Sequence, residues 1–360
     1  MIPAADDYTT ERALFLDRSE QQGATITRVE HPRTGPDGGA LSTDVARFGA
    51  ARGAARTVVQ INSGVHGVEG HAGSGLQRLL LDSGRLDRLA PDLAVLLVHS
   101  VNPFGHAWSR RVDHENIDVN RNFLDGPRPE NPGYPDVDAL LNPTAYDPDD
   151  MSFLDELLAY WAEVGDAVAF ATISGGQYSH PTGVQFGGTH PSWSRRTLET
   201  IWETELTGAD DALVLDLHTG LGPLGRQTVF QTADEHEAGA AAGGRWFEEW
   251  IYRTGRADPV DHGLLGPGFD EWAEGRLRSS TFVLEFGTHD PVRGVTVFRS
   301  DNWLHHHGDP TSALGERIRS EMRDFFFVDD EAWRRDVADQ GLDAIHRTLD
   351  GIERGDLNPA

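Results

Sequence analysis

The chain has 360 residues, 38% of them apolar, no cysteine, and a formal net charge of −27. That length accommodates one large α/β domain or two modest ones, and without cysteine there are no disulfides or thiolate metal sites, so any metal must rely on His, Asp and Glu. The acidic balance speaks against nucleic acid and anionic membranes, and because all 31 basic residues are arginine, lysine Schiff-base and P-loop chemistry are excluded too.

The opening stretch, MIPAADDYTTERALFLDRSE, has neither a basic segment nor an apolar one, and no run of eighteen apolar residues occurs. A soluble, cytoplasmic protein is expected. Short apolar runs then alternate with longer segments of helical period, the pattern of an α/β domain around a central sheet. Strands are predicted at 57–62, 93–100, 212–219 and 281–288, and helices over 73–82, 151–168, 194–206, 235–252 and 311–326. The segment 124–150, rich in Pro and Asp, reads as a long surface loop. Residues 1–330 are expected to form a single domain and 331–360 a peripheral helical tail.

Chemistry-bearing residues fall at the ends of these strands. In VVQINSGVHGVEGHAGS, Val58 to Ser74, an apolar strand breaks into glycines around His66 and Glu69. With this composition roughly two or three such His/carboxylate pairs arise by chance, so the pair gains weight only from its place past a strand end. His218, ending the strand ALVLDLHTG, has the same structural address and is the candidate third ligand, since a His₂Glu set with one open position is a known catalytic zinc arrangement. The alternative is a histidine that caps a βα turn. Asp216 lies two residues back on the same face, where a carboxylate can orient the site. Within RRVDHENIDVNRNFLD, Arg121 and Asn120 are candidates for holding a substrate carboxylate, and Arg111 or its neighbour Arg110 for facing an oxyanion. Surface ion pairs with Asp113, Glu115 and Asp118 are the alternative. The glycine-rich stretch from Ile173 to Trp193 reads as a loop over the site or as a structural excursion. Glu285, at the end of the strand TFVLEFGTH, is costly to bury without work or a partner, which makes it a candidate general base or a salt-bridged core residue. The run His305 to His307 is not expected to bind metal, because consecutive side chains point apart.

Four ordered motifs resemble a known family. HGVE with His66 and Glu69, DVNRNF with Asn120 and Arg121, DLHTG with His218 and LEFGT with Glu285 look like the signature of zinc metallocarboxypeptidases of the carboxypeptidase A type. Asn102, Pro103, Arg111 and DVNR are similar to the corresponding run in aspartoacylase and succinylglutamate desuccinylase. A bacterial branch of the same superfamily, a domain of unknown function, shares the SGVHGVEGHAGSGLQ opening and the GGQYSHPTGVQFGG centre, a likeness over roughly residues 7 to 335. The resemblance implies a phosphorylase/hydrolase-like α/β/α sandwich with a mixed, twisted sheet of about eight strands. It implies zinc held by His66, Glu69 and His218, a carbonyl polarised by Arg111, a free carboxylate bound by Asn120 and Arg121, and Glu285 as base. The activity so implied is zinc-dependent hydrolysis of an amide next to a free carboxylate, carboxypeptidase-like on short peptides or, alternatively, deacylation of an N-acyl amino acid. A non-catalytic carboxylate-binding module is the reading from another class. One departure stands out: carboxypeptidases of this type carry a loop tyrosine before the catalytic glutamate, and residues 255–275 contain none. Tyr178, Tyr252 and His262 are the candidates to replace it.

Overall fold

The computed structural model describes residues 1–232, 238–248, 250–254 and 263–357. The segments TVVQINS and LAVLLVH bury every residue, as strands covered on both faces do. They are β3 (Thr57–Ser63) and β4 (Leu93–His99) in a set that also contains β1 (Thr25–Thr34), β2 (Ala40–Gly49), β5 (Asp211–Gly220), β6 (Gln227–Thr232), β7 (Ile251–Thr254) and β8 (Arg278–Gly287). These strands form one eight-stranded sheet in the order β1-β2-β4-β3-β5-β8-β6-β7. Its centre, β4-β3-β5-β8, is parallel, whereas β1, β2 and β6 pair antiparallel with β2, β4 and β8.

Strand alternation divides the core in two. Val59, Ile61, Leu213, Leu215 and Leu284 meet Leu76 and Leu80 of the helix Gly70–Asp82 on one face. Val58, Leu96 and Val214 meet Leu198, Ile201 and Trp202 of the helix Trp193–Glu205 on the other. The chain leaves β3 along the first face to reach β4, and enters β5 from a helix on the second. β3 and β5 therefore flank the point where the winding reverses, and the crevice at their carboxyl ends is where such sheets present ligand sites.

The predicted strands at 57–62, 93–100, 212–219 and 281–288 all lie in the sheet. The segment 151–168 is two helices, Ser152–Val164 and Asp166–Ser174, separated at Gly165, whose φ of 83° no helix can accommodate. Of the helix expected over 235–252, Ala238–Phe247 is helical, but Ile251–Thr254 pairs with β6 as an edge strand. The 124–150 segment carries a helix, Tyr134–Leu141, whose Tyr134, Val137 and Leu141 are buried in a small cluster of their own. The final helix, Glu331–Glu353, expected at the periphery, lays Trp333, Val337 and Ile345 into the larger core, and Trp333 donates its indole N–H to the Gly287 carbonyl at 2.9 Å. Among the described residues no helix is long and apolar enough to cross a membrane.

Candidate active site

After β3 the chain makes a single 3₁₀ turn, Gly67–Glu69, that runs directly into the helix Gly70–Asp82. Glycine is required at 67, because a Cβ there would lie 2.3 Å from the Gly105 Cα. The turn is anchored by backbone N–H groups of Gly67 and Val68, which donate to the carbonyls of Arg111 and Arg110 at 3.1 and 2.8 Å. It sets His66 Nδ1 2.8 Å from Glu69 Oε1. β5 brings in His218, whose Nδ1 lies 3.0 Å from Glu69 Oε2, and the same oxygen accepts the Thr219 N–H at 3.0 Å. The two imidazoles meet nearly edge-on, with centroids 4.9 Å apart. All three residues are buried, and their donor atoms lie within 4.8 Å of one another.

The far nitrogen of each ring faces a second carboxylate. His66 Nε2 is 3.2 Å from Asp118 Oδ1, and His218 Nε2 is 2.7 Å from Asp216 Oδ2. A carboxylate at Nε2 favours the proton there and leaves the Nδ1 lone pair turned toward Glu69. Asp118 does more: Oδ1 also accepts the Asn120 N–H at 3.0 Å, and Oδ2 takes a guanidinium N–H from Arg111. Glu285 is the register partner of His218 on β8, and its Oε1 accepts the Leu221 N–H at 2.8 Å.

Four buried carboxylates, Glu69, Asp118, Asp216 and Glu285, thus surround two imidazoles, and Arg111 pairs with one of them, Asp118. Burial opposes ionisation of Glu69, but the two imidazoles hold its carboxyl down at about 2. Burial and the neighbouring Glu69 carboxylate push Glu285 up to about 8. Burial also works against a charged His218, yet Asp216 and Glu69 raise it well above the ordinary histidine value. Asp118, equally buried, is held well below the carboxylate range by Arg111, His66 and Arg121.

The remaining predicted residues are placed as follows. Arg110 turns away into a buried ion pair with Asp301 at 3.0 Å, so of the two neighbouring arginines Arg111 alone reaches the cluster. Arg111 also donates to Gln185 Oε1 at 2.7 Å and lies over the Phe298 ring. Asn120 Oδ1 accepts the Leu265 N–H at 2.8 Å, while Arg121 donates to the carbonyls of Asn120 and Ser174, both at 2.8 Å. The Tyr178 hydroxyl donates to the Arg121 carbonyl at 2.7 Å. Tyr252 is 57% exposed on the edge strand, far along the sheet order from β3 and β5, and His262 lies outside the described residues. His305 to His307 occupy the last turn of the helix Pro291–His307 and join no candidate metal group among the described residues. Two members were not assigned a role from the sequence. Asp118, inside the DVNRNF motif, reads in sequence only as a surface ion-pair partner; Gln185 lies in the glycine-rich stretch in a left-handed conformation (φ 59°) that marks a constrained position.

The chain belongs to the family described as protein of unknown function (DUF2817), whose pattern matches residues 5–340. No curated protein matches it. Among solved structures it is similar to bovine thrombin-activatable fibrinolysis inhibitor in complex with tick carboxypeptidase inhibitor, at 12% identity over 98% of both chains, with a TM-score of 0.52. Carboxypeptidase A from Helicoverpa armigera matches at 12% identity over 89% of this chain and 73% of its own, with a TM-score of 0.49. Succinylglutamate desuccinylase from Chromobacterium violaceum matches at 17% identity over 87% and 73%, with a TM-score of 0.40. The mixed eight-stranded α/β architecture expected from the motifs is the fold shared with the bovine protein.

Proposed function

We propose that the chain is a zinc-dependent hydrolase that adds water to an amide carbonyl next to a free carboxylate, carboxypeptidase-like on short peptides. The observation that carries this reading is the arrangement of His66, Glu69 and His218: two Nδ1 atoms and one carboxylate converge, and each imidazole is backed at Nε2 by a buried carboxylate. That donor set fits zinc, and a surplus of buried carboxylates is costly unless a cation compensates it. When bound there, zinc supplies Lewis-acid polarisation of a carbonyl and lowers the pKa of water to about 7.

The other roles belong to the chain's own groups. Glu285 Oε1 is occupied by the Leu221 N–H, which leaves Oε2 to take the proton of the attacking water and return it to the departing nitrogen. Arg111 is gripped through one guanidinium nitrogen by Asp118 and Gln185, and this fixes the plane in which its other edge meets an oxyanion. Asn120 and Arg121 are assigned to the substrate carboxylate; binding it requires exchanging Arg121's bonds to the Asn120 and Ser174 carbonyls.

Deacylation of an N-acyl amino acid is the second reading. It is favoured by the absence of tyrosine from 255–275 and by the commitment of the Tyr178 hydroxyl to a backbone carbonyl. Incubating zinc-loaded protein with C-terminal dipeptides and N-acyl amino acids, and measuring the amine released, separates the two. Release from neither class, with zinc bound, would leave only the carboxylate-binding module.

A further inference from the structure

A second His₂Glu group lies behind the first. Glu11 comes from the helix Tyr8–Gln21, His71 from the first turn of Gly70–Asp82, and His106 from the short helix Pro103–Trp108. All three are at most 3% exposed, and their donor atoms again lie within 4.8 Å of one another. We propose that Glu11, His71 and His106 form a second, structural site for a divalent cation of the zinc class.

The distances are compatible with ligation as well as with hydrogen bonding. His71 Nδ1 is 3.2 Å from both Glu11 oxygens, and His106 Nε2 is 2.9 Å from Oε2. A proton shared evenly between two oxygens at that distance makes a weak bond. Ligands placed tetrahedrally at ~2.0 Å from zinc stand about 3.3 Å apart, close to the observed spacing. The group supplies two imidazole nitrogens and one carboxylate, the same donor set as the first site, and a structural role is assigned to it because it joins three helices. His106 is oriented from behind by the Ser100 hydroxyl, 3.1 Å from Nδ1, in the manner of a ligand imidazole whose tautomer is fixed by its outer partner.

His71 Nε2, on the side of the ring away from Glu11, has no partner among the described residues, so unlike His106 this imidazole is not oriented from behind. Glu11 is fully buried, and beyond the two imidazoles it accepts the Asp6 N–H at 3.0 Å. Arg78 is within electrostatic reach but forms no ion pair with it among the described residues. The ring of Tyr8 packs edge-on against His106, so water has little access. A divalent ion would neutralise the carboxylate where solvent cannot.

The location gives the ion a task. His71 follows Glu69 by two residues on the same helical start, and a Cβ at Gly70 would lie 2.6 Å from His106 Nδ1, so the second group packs directly against the turn that carries the first. An ion joining three helices there would hold that turn in place.

The test is metal stoichiometry on the full chain. The protein is stripped with a chelator, refilled from slight excess zinc, desalted and analysed by elemental mass spectrometry, with thermal unfolding alongside. Wild type is expected to hold about two zinc ions per chain, His218→Ala and Glu11→Gln about one each, and the double variant close to none. Zinc added to stripped His218→Ala should raise its Tm, as any ligand of the native state does. Should Glu11→Gln fail to fold, the His218→Ala measurements decide alone. A His218→Ala protein that keeps no zinc and shows no shift in Tm overturns the proposal. One ion in wild type that persists in His218→Ala supports the second site and sinks the first.

Discussion

Replacing Asp118 by asparagine tests how the site is assembled, because this one side chain serves three donors. Oδ1 accepts from His66 Nε2 and the Asn120 N–H, and Oδ2 from Arg111. An amide of the same shape has one acceptor oxygen. With that oxygen at the Oδ1 position, the NH₂ group opposes the Arg111 guanidinium; turned over, it opposes the His66 N–H and favours a proton on Nδ1, where a metal needs the lone pair. Losing a hydrogen bond to a charged group costs about 1.5–3 kcal/mol, or ~10- to 150-fold, and losing the partner that orients a ligand imidazole costs about 10- to 100-fold in metal affinity. Zinc affinity is measured by competition with a chromogenic chelator, and kcat/KM at saturating zinc on whichever panel substrate the wild type cleaves. Asp118→Asn should lose both quantities, because it touches both Arg111 and His66. Asp216→Asn, which touches His218, should lose about 10- to 100-fold in zinc affinity and recover most of its turnover once zinc saturates. Unchanged zinc affinity and unchanged kcat/KM in Asp118→Asn would refute both the ligand assignment and the role given to Arg111.

Glu285→Gln preserves shape and ligands, so kcat should collapse while zinc content stays the same; a variant that keeps wild-type turnover removes Glu285 as the base. The same substitution carries a pH signature in the metal-free chain. Glu285 titrates at about 8 when folded, against an ordinary 4.5, so between those values the folded chain retains a proton that the unfolded chain has released. The wild type therefore loses stability relative to Glu285→Gln as pH rises through that window, and a difference in urea midpoints that does not move between pH 5 and pH 8.5 contradicts it. Arg121→Met should depress kcat/KM for a free-acid substrate by ~1.5–3 kcal/mol while its amidated analogue loses much less; equal losses with a lowered Tm would make Arg121 a structural tie between the Asn120 and Ser174 carbonyls. In the core, Trp202→Ala should cost about 3–5 kcal/mol by urea denaturation, since its ring is 1% exposed between the helix Trp193–Glu205 and the sheet.

Much of this protein could be read without coordinates, for reasons that are local. Strands covered on both faces carry short runs of apolar residues, so β3, β4, β5 and β8 declare themselves despite their polar members, and glycines clustered after a strand announce a tight turn. That His66, Glu69, His218 and Glu285 come close together could be anticipated because His218 and Glu285 lie at strand ends and His66 and Glu69 in the turn that follows one, where the backbone largely fixes the side chain's address. The less apolar edge elements were not legible: β1 is exposed on most of its length, and β7 is four residues long, too short to carry a period. What a side chain touches across the fold lies beyond local pattern altogether. Arg110 and Arg111 are neighbours in sequence, and only the packing of the helix Pro291–His307 gives Arg110 to Asp301 and leaves Arg111 to Asp118. Glu11, His71 and His106 are likewise unremarkable at separations of 60 and 35 residues; they become a group only where three helices close over one another behind the first turn of the site. Backbone address follows from period and glycine, which are properties of neighbours in the chain; partnership follows from the sheet order and helix packing, which bring together residues that no local rule connects.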